Sequence, residues 1–228
     1  MQKLNVIYED NHIIVVEKPV NIPSQGDKTG DIDMLTIIKN YLKEKYNKPG
    51  NVYLGLIHRL DRPVGGVMVF AKTSKAAARL SEQVREKVFQ KTYLVIVDGR
   101  MESPKGELKD YLLKNEKNNL SKVVKEDTKN AKLAILDYEE LKYNPEIDLS
   151  VLKINLHTGR HHQIRVQLSS RNHSIYGDQK YGTRGRGKQI ALWAYGLKIV
   201  HPITKEEMFF KSVPEQIGSW KILEGIEL

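Results

Sequence analysis

A chain of 228 residues with 40% hydrophobic content, 16 Gly and 8 Pro has the length and composition of one ordinary folded domain, which argues against disorder, collagen and coiled coil. Its 37 Lys and Arg against 28 Asp and Glu leave a net charge of +9, which favours an anionic partner, nucleic acid first. With no cysteine, disulfide scaffolds, zinc ribbons, thiol redox centres and cysteine nucleophiles are excluded. No apolar run approaches the roughly 18 residues of a membrane span, and residues 1–5 lead straight into a strand-like segment without a signal-peptide core. A cytoplasmic protein without membrane contact is expected.

Residues 5–9 and 12–17, two β-rich runs joined by Asp10-Asn11, predict a hairpin closed by Lys18-Pro19. The stretch 19–31, dense in Pro, Gly, Ser and Asp, predicts a surface loop. From Met34 the residues Leu35, Ile38, Tyr41, Leu42 and Tyr46 recur at helical spacing, ending near Lys48-Pro49-Gly50. Apolar runs at 53–57 and 67–71 predict buried strands. Ser74 is placed to cap a helix over 75–87 with an apolar face of Ala77, Leu80, Val84 and Val88. Strands follow at 92–97, 107–113, 131–138 and 149–156, and the Lys-rich stretch 114–132, with little periodicity, reads as an exposed insertion. Thr158-Gly159-Arg160 opens a short helix over 161–170, with Ile164 and Leu168 one turn apart. Strands at 191–200 and 208–210 and a short terminal element complete the chain. Strands predominate without strict βαβ alternation, so the class is α+β with a mixed or antiparallel sheet, in a single domain over 1–228.

There is no Walker-type loop, and Gly182, Gly185 and Gly187 follow no obvious strand into a helix, so phosphoryl and hydride transfer drop out. His157, His161 and His162 are considered as metal ligands. His157 precedes the predicted helix, no carboxylate is near in sequence, and Arg160 and Arg165 repel a cation, so no metal site is expected. The informative segment is 58–66, a polar loop between two buried strands, with Asp61 between Arg59 and Arg62. A lone loop Asp of this kind is ordinarily an ion pair. Here Pro63 holds Arg62 to extended geometry, Gly65 and Gly66 leave room for a substrate to approach the backbone, and the cations keep the carboxylate ionised, as a nucleophile must be.

The segment 58–72, HRLDRPVGGVMVFAK, resembles the active-site motif of the RluA-type pseudouridine synthases, in which an Asp within His-Arg-Leu-Asp is catalytic. Residues 6–19 resemble that family's opening hairpin, 91–99 its Lys-x-Tyr strand, 158–168 its basic helix and 176–182 the loop that follows. The five blocks stand in the family's order over about residues 4–200. The resemblance implies the pseudouridine synthase fold, a central mixed or antiparallel sheet with flanking helices and an RNA-binding cleft. Because the hairpin begins within ten residues of Met1, the small N-terminal RNA-binding domain of many members is expected to be absent. Val64-Gly65 stand where the family usually has Thr-Ser.

The implied reaction is isomerisation of uridine to pseudouridine in RNA, without cofactor or metal. The implied roles are Asp61 as nucleophile, attacking C6 of the uracil or C1′ of the ribose; Arg165 as the arginine that pairs with that Asp; and Tyr93 as the tyrosine against the flipped base. Arg62 is placed to fill the gap left by that base, with His58 and Arg59 orienting the loop. Arg160, His161, Lys180, Arg184, Arg186 and Lys188 are candidate phosphate contacts. The expected partner is a ribosomal or transfer RNA stem-loop, bound by a monomer. A catalytically silent RNA-binding protein and a metal-dependent nuclease are the competing readings.

Overall fold

The computed structural model describes residues 4–182 and 187–228. In chain order the elements are β1 (Asn5–Glu9), β2 (Ile13–Lys18), α1 (Met34–Lys45), β3 (Gly55–Leu56), β4 (Gly65–Ala71), α2 (Ser74–Arg85), β5 (Gln90–Asp98), β6 (Lys105–Asn115), β7 (Leu120–Val124), β8 (Lys132–Asn144), β9 (Leu149–Leu156), α3 (Gln163–Ser169), β10 (Leu192–Val200) and β11 (Glu207–Lys211), then a 3-10 turn at Gly218–Leu223. The α+β class is as expected. The chain forms two compact units, Met1–Lys91 with Ala194–Val213 and Thr92–Trp193 with Pro214–Leu228.

In the first unit the strand order is β1-β2-β4-β10, with β11 on β10 and β3 on β4. Asp10 closes the first hairpin, its Oδ1 accepting from the amides of His12 and Ile13 at 2.7 Å each. β2 and β4 pair antiparallel from Ile13 with Ala71 to Lys18 with Gly66. Every residue of β4 is buried, which is why it reads as a continuous apolar run rather than an alternating one. Ile13, Val15, Val67 and Val69 pack with Leu80 of α2, Leu197 of β10 and Phe210 of β11. α1 starts at Asp33, whose carboxylate accepts from the Thr36 amide at 3.1 Å, and buries Met34, Ile38 and Leu42; of the other expected apolar positions Leu35 and Tyr41 are half-buried and Tyr46, at the C-cap, is exposed.

α2 departs from expectation in two respects. Its N-cap is Thr73, whose Oγ1 accepts from the Ala76 amide at 3.2 Å, and not Ser74. Its buried face is Ala76, Leu80 and Gln83, while Val84 and Val88 are exposed. Gln83 explains the rotation: its side-chain amide donates to the Val200 carbonyl at 2.7 Å and accepts from the Val200 amide at 2.9 Å, satisfying the backbone of β10.

Gly66 corrects a second expectation. Its φ is +119°, and a Cβ there would lie 2.2 Å from the carbonyl oxygen of Ala194. The space it leaves is therefore filled by the backbone of β10, not offered to a substrate. Gly66→Ala is expected to cost about 3 kcal/mol or more, because neither backbone can yield, and to lower the melting temperature by roughly 6–12 °C. Calorimetry showing an unchanged transition would refute this account of the crossing.

In the second unit the order is β5-β9-β8-β6-β7, with β8 antiparallel to both β6 and β9. The stretch 114–132, read from sequence as an insertion without periodicity, contains β7, which pairs antiparallel with the end of β6. Ser121 is the buried residue of this strand, so no apolar alternation marks it. α3 buries six of its seven residues, including Gln163, Arg165 and Gln167. Its Gln side chains satisfy sheet backbone: Gln163 donates to the Ile135 carbonyl at 3.1 Å and Gln167 to the Leu108 carbonyl at 3.2 Å.

Candidate active site

Asp61 lies in the first unit on the loop between β3 and β4, and the backbone on each side of it is pinned by the segment that follows β2. Ser24, buried, holds Leu60 at both ends of its peptide: Oγ donates to the Leu60 carbonyl at 2.9 Å and accepts from the Leu60 amide at 3.1 Å. Lys18, fully buried at the end of β2, donates from Nζ to the carbonyls of Arg62 at 3.0 Å and Pro19 at 2.9 Å. The Val64 amide closes the turn onto the Asp61 carbonyl at 2.9 Å. Residues 60, 62 and 64 are thus fixed, and the half-buried Asp61 between them is presented on a rigid turn. Neither Lys18 nor Ser24 was singled out in the sequence. A lysine at a strand end before proline reads as a hairpin terminator, and only the packing of strand against loop shows its second role.

Burial pulls the Lys18 ammonium from its ordinary 10.5 down to about 7, with the carboxylate of Asp61 acting to raise it and Arg62 to lower it. The folded chain therefore binds fewer protons at this site than the unfolded chain between about pH 7 and 10.5. This group makes stability rise with pH across that window, and its penalty is complete below about pH 7. Urea unfolding at pH 7 and pH 9.5 should show that rise, and Lys18→Met should flatten it; equal slopes in the two proteins would refute the assignment.

His58 is turned into the first unit. β3 stops after Leu56, opposite Phe70, and the His58 ring then accepts the next free amide of β4, Val69, at Nε2 (3.2 Å). Accepting there requires a neutral ring. Burial, then the charge of Lys91, push its pKa down to about 3, and the ring meets Phe89 edge to face at 5.1 Å. Nδ1 is buried with no hydrogen-bond partner among the described residues. Arg59 is exposed. Arg62 is exposed as well, with its guanidinium directed to Asn21, Thr29 and Asp31.

The second unit carries Tyr93, buried in β5, and Arg165, buried in α3. The Arg165 guanidinium grips Asp178 with two bonds, Nε to Oδ2 at 2.8 Å and Nη2 to Oδ1 at 2.6 Å, and lies 5.2 Å from the Tyr181 ring centre. Burial acts to raise the Asp178 carboxyl, but the hydrogen bond and charge of Arg165 outweigh it and hold it below its ordinary value. Asp178 also accepts from the amides of Lys180 and Tyr181, so one carboxylate orders both the arginine and the loop after α3.

Tyr181 joins this loop to the β6–β7 hairpin. Its hydroxyl accepts from the Ser121 amide at 2.7 Å and lies 2.9 Å from Nδ1 of His162, while Ser121 Oγ lies 2.9 Å from Nδ1 of His161. His161 and His162 stack at 3.7 Å. Arg160 and Lys180 are exposed; Arg160 Nε donates to the Leu133 carbonyl and Lys180 Nζ to the Asn119 carbonyl. Lys188 is exposed, and Arg184 and Arg186 lie outside the described residues. The carboxylate absent near His157 in sequence is supplied by the fold, since Asp137 lies 2.6 Å from its Nε2. Among the described residues no three His, Asp or Glu side chains form a cluster able to hold a metal ion.

A family model described as RNA pseudouridylate synthase matches residues 12–170. The chain belongs to this family. An uncharacterized RNA pseudouridine synthase of Aquifex aeolicus is 33% identical, aligned over 91% of this chain and 68% of its own length. The ribosomal large subunit pseudouridine synthase C of Haemophilus ducreyi is 30% identical over 90% and 64%, and the tRNA pseudouridine synthase C of Haemophilus influenzae 29% identical over 90% of each. The chain thus spans about two thirds of the first two relatives and nine tenths of the third. In fold it is similar to human RNA pseudouridylate synthase domain containing 4, with a TM-score of 0.77 at 21% identity over 92% of this chain and 89% of that one. Membership of the family sets the enzyme class as RNA pseudouridine synthase, an isomerase. No helix of the described residues is long and apolar enough to cross a membrane.

Proposed function

We propose that this pseudouridine synthase acts in the cytoplasm, as a monomer, on a uridine in a folded ribosomal or transfer RNA stem-loop, with Asp61 as nucleophile and no cofactor. The observation that carries the reading is the pinning of the Asp61 turn by Ser24 and Lys18, which holds the carboxylate where a substrate can be aligned against it. In the reaction the bond from N1 to C1′ breaks, the uracil turns while held, and C5 becomes bonded to C1′. The C5 proton is lost and N1 gains one, so atoms and electrons balance without a redox partner. Asp61 attacks either C6 of the base or C1′ of the ribose, and both routes return the carboxylate unchanged.

The target base must leave its stack, at a cost of roughly a few kcal/mol. Arg62 fills the gap, and the flat face of Tyr93 lies against the base, such stacking contributing about 1–3 kcal/mol. Arg165, held in place by Asp178, serves the same reaction, as the family resemblance implies. Arg160, His161, Lys180, Arg184, Arg186 and Lys188 meet phosphates, each neutralised phosphate steepening the salt dependence by about 0.7–0.9 log units.

The test is to incubate the protein with pseudouridine-free cellular RNA, without added metal, and to map new pseudouridine by carbodiimide-dependent reverse-transcription stops. Stops at defined positions support the reading and identify the RNA. A folded protein that binds RNA tightly yet leaves no stops on any RNA overturns it in favour of a non-catalytic RNA-binding protein.

A further inference from the structure

The arginine beside the nucleophile is not waiting in solvent. Arg62 donates from Nε to the Asn21 carbonyl at 3.2 Å, from Nη1 to Thr29 Oγ1 at 3.2 Å and from Nη2 to an Asp31 carboxylate oxygen at 2.5 Å, and a carboxylate oxygen of Asp27 lies 3.9 Å from Nη1. The cradle is ordered from within. The Thr29 amide donates to Asp27 at 2.9 Å, and the Thr29 hydroxyl lies 3.0 Å from the same Asp31 oxygen that Arg62 grips. A guanidinium facing carboxylate oxygens is in the arrangement it adopts with a phosphate, so the loop presents Arg62 with an imitation of an RNA backbone. The Arg62 hydrogen bond also draws the Asp31 carboxyl below its ordinary value, which keeps the pair ionised at neutral pH.

The pair is accessible to competition, since the Arg62 side chain is 41% and the Asp31 side chain 51% exposed. Exposed pairs of this kind are weak enough for RNA to displace. At the same time Lys18 holds the backbone carbonyl of Arg62, so the side chain can swing while the Asp61 turn stays fixed.

We infer that Asp31, with Thr29 and Asp27 in support, is an intramolecular competitor for Arg62, a latch that RNA must displace before this arginine engages it. The inference rests on the proposed reading that Arg62 meets RNA. Every productive binding event carries the cost of opening the latch, as for any protein whose competent conformation is only partly populated. Removing the carboxylate therefore strengthens RNA binding, the opposite of what loss of a supporting contact does.

The test is a double-mutant cycle in which wild type, Asp31→Asn, Arg62→Ala and the double variant bind a pseudouridine-free transcript of large-subunit ribosomal RNA at two salt concentrations. Asp31→Asn is expected to bind about two- to five-fold more tightly than wild type, the range of an exposed ion pair. In the Arg62→Ala background the same substitution is expected to change nothing. An equal gain in both backgrounds would overturn the latch, because the effect would then be the general field of one carboxylate on a polyanion. Weaker binding, or slower conversion at unchanged affinity, would overturn it in favour of a brace that positions the Asp61 turn. If Arg62→Ala alone binds and converts RNA as wild type does, the underlying reading that Arg62 meets RNA fails, a result distinct from failure of the latch.

Discussion

Asp61→Asn is expected to reduce conversion of uridine to pseudouridine by a factor of about 10³ or more while RNA affinity stays within a few fold of wild type. The substitution preserves volume and removes only the anionic oxygen. The bonds that fix the turn do not use the Asp61 side chain: Ser24 holds Leu60, Lys18 holds the Arg62 carbonyl, and Val64 closes onto the Asp61 carbonyl. The variant should therefore fold. One secondary effect is predictable, because the Asp61 carboxylate opposes the depression of the buried Lys18 ammonium, so its removal should lower that pKa further. Carbodiimide mapping of products, filter binding and urea unfolding on the same preparations separate the outcomes. Undiminished conversion would remove Asp61 from the chemistry, and a variant that fails to fold would assign it a structural role instead.

Asp178→Ala is expected to destabilise the protein by about 3 kcal/mol, the cost of removing one carboxylate from a buried, doubly hydrogen-bonded ion pair. The side chains of Arg165 and Asp178 are 5% and 0% exposed, so water cannot replace the lost carboxylate, and the amides of Lys180 and Tyr181 lose an acceptor as well. Replacing both charges by apolar residues, Arg165→Met with Asp178→Leu, should recover much of the loss, since it removes the buried guanidinium together with the carboxylate. The pH dependence has a definite sign. The Asp178 carboxyl is held below its unfolded value, so its contribution is complete above about pH 4 and is lost as pH falls through the lower folded value. Urea midpoints for wild type and the two variants near pH 3 and at pH 7 check both statements. A single variant as stable as wild type would mean that the guanidinium finds another anchor.

Local pattern in the sequence determines much of this protein. The Asp10-Asn11 turn between two β-rich runs placed the first hairpin, and helical spacing from Met34 placed α1 with Ile38 and Leu42 inward, because both signals are local and answer to the backbone's own geometry. The motif around Asp61 and the blocks around Tyr93 and Arg165 identified the family from short segments alone, and the family model later matched most of the chain.

The tertiary structure decided what depends on partners distant in sequence. Gln83 turned α2 away from its predicted face because the backbone of β10, more than 100 residues later, needed a partner. Gly66 proved to be a crossing point with Ala194, and β7 exists as a strand because β6 offers it an edge, not because its own residues alternate. In the site, sequence named the charged residues but not what holds them. Lys18 and Ser24 lie 44 and 36 residues from the backbone atoms they pin, and Asp178 lies 13 residues from the arginine it orders. A buried hydrogen bond or ion pair leaves no periodic trace in sequence, since its geometry is set only when the core has removed both partners from water.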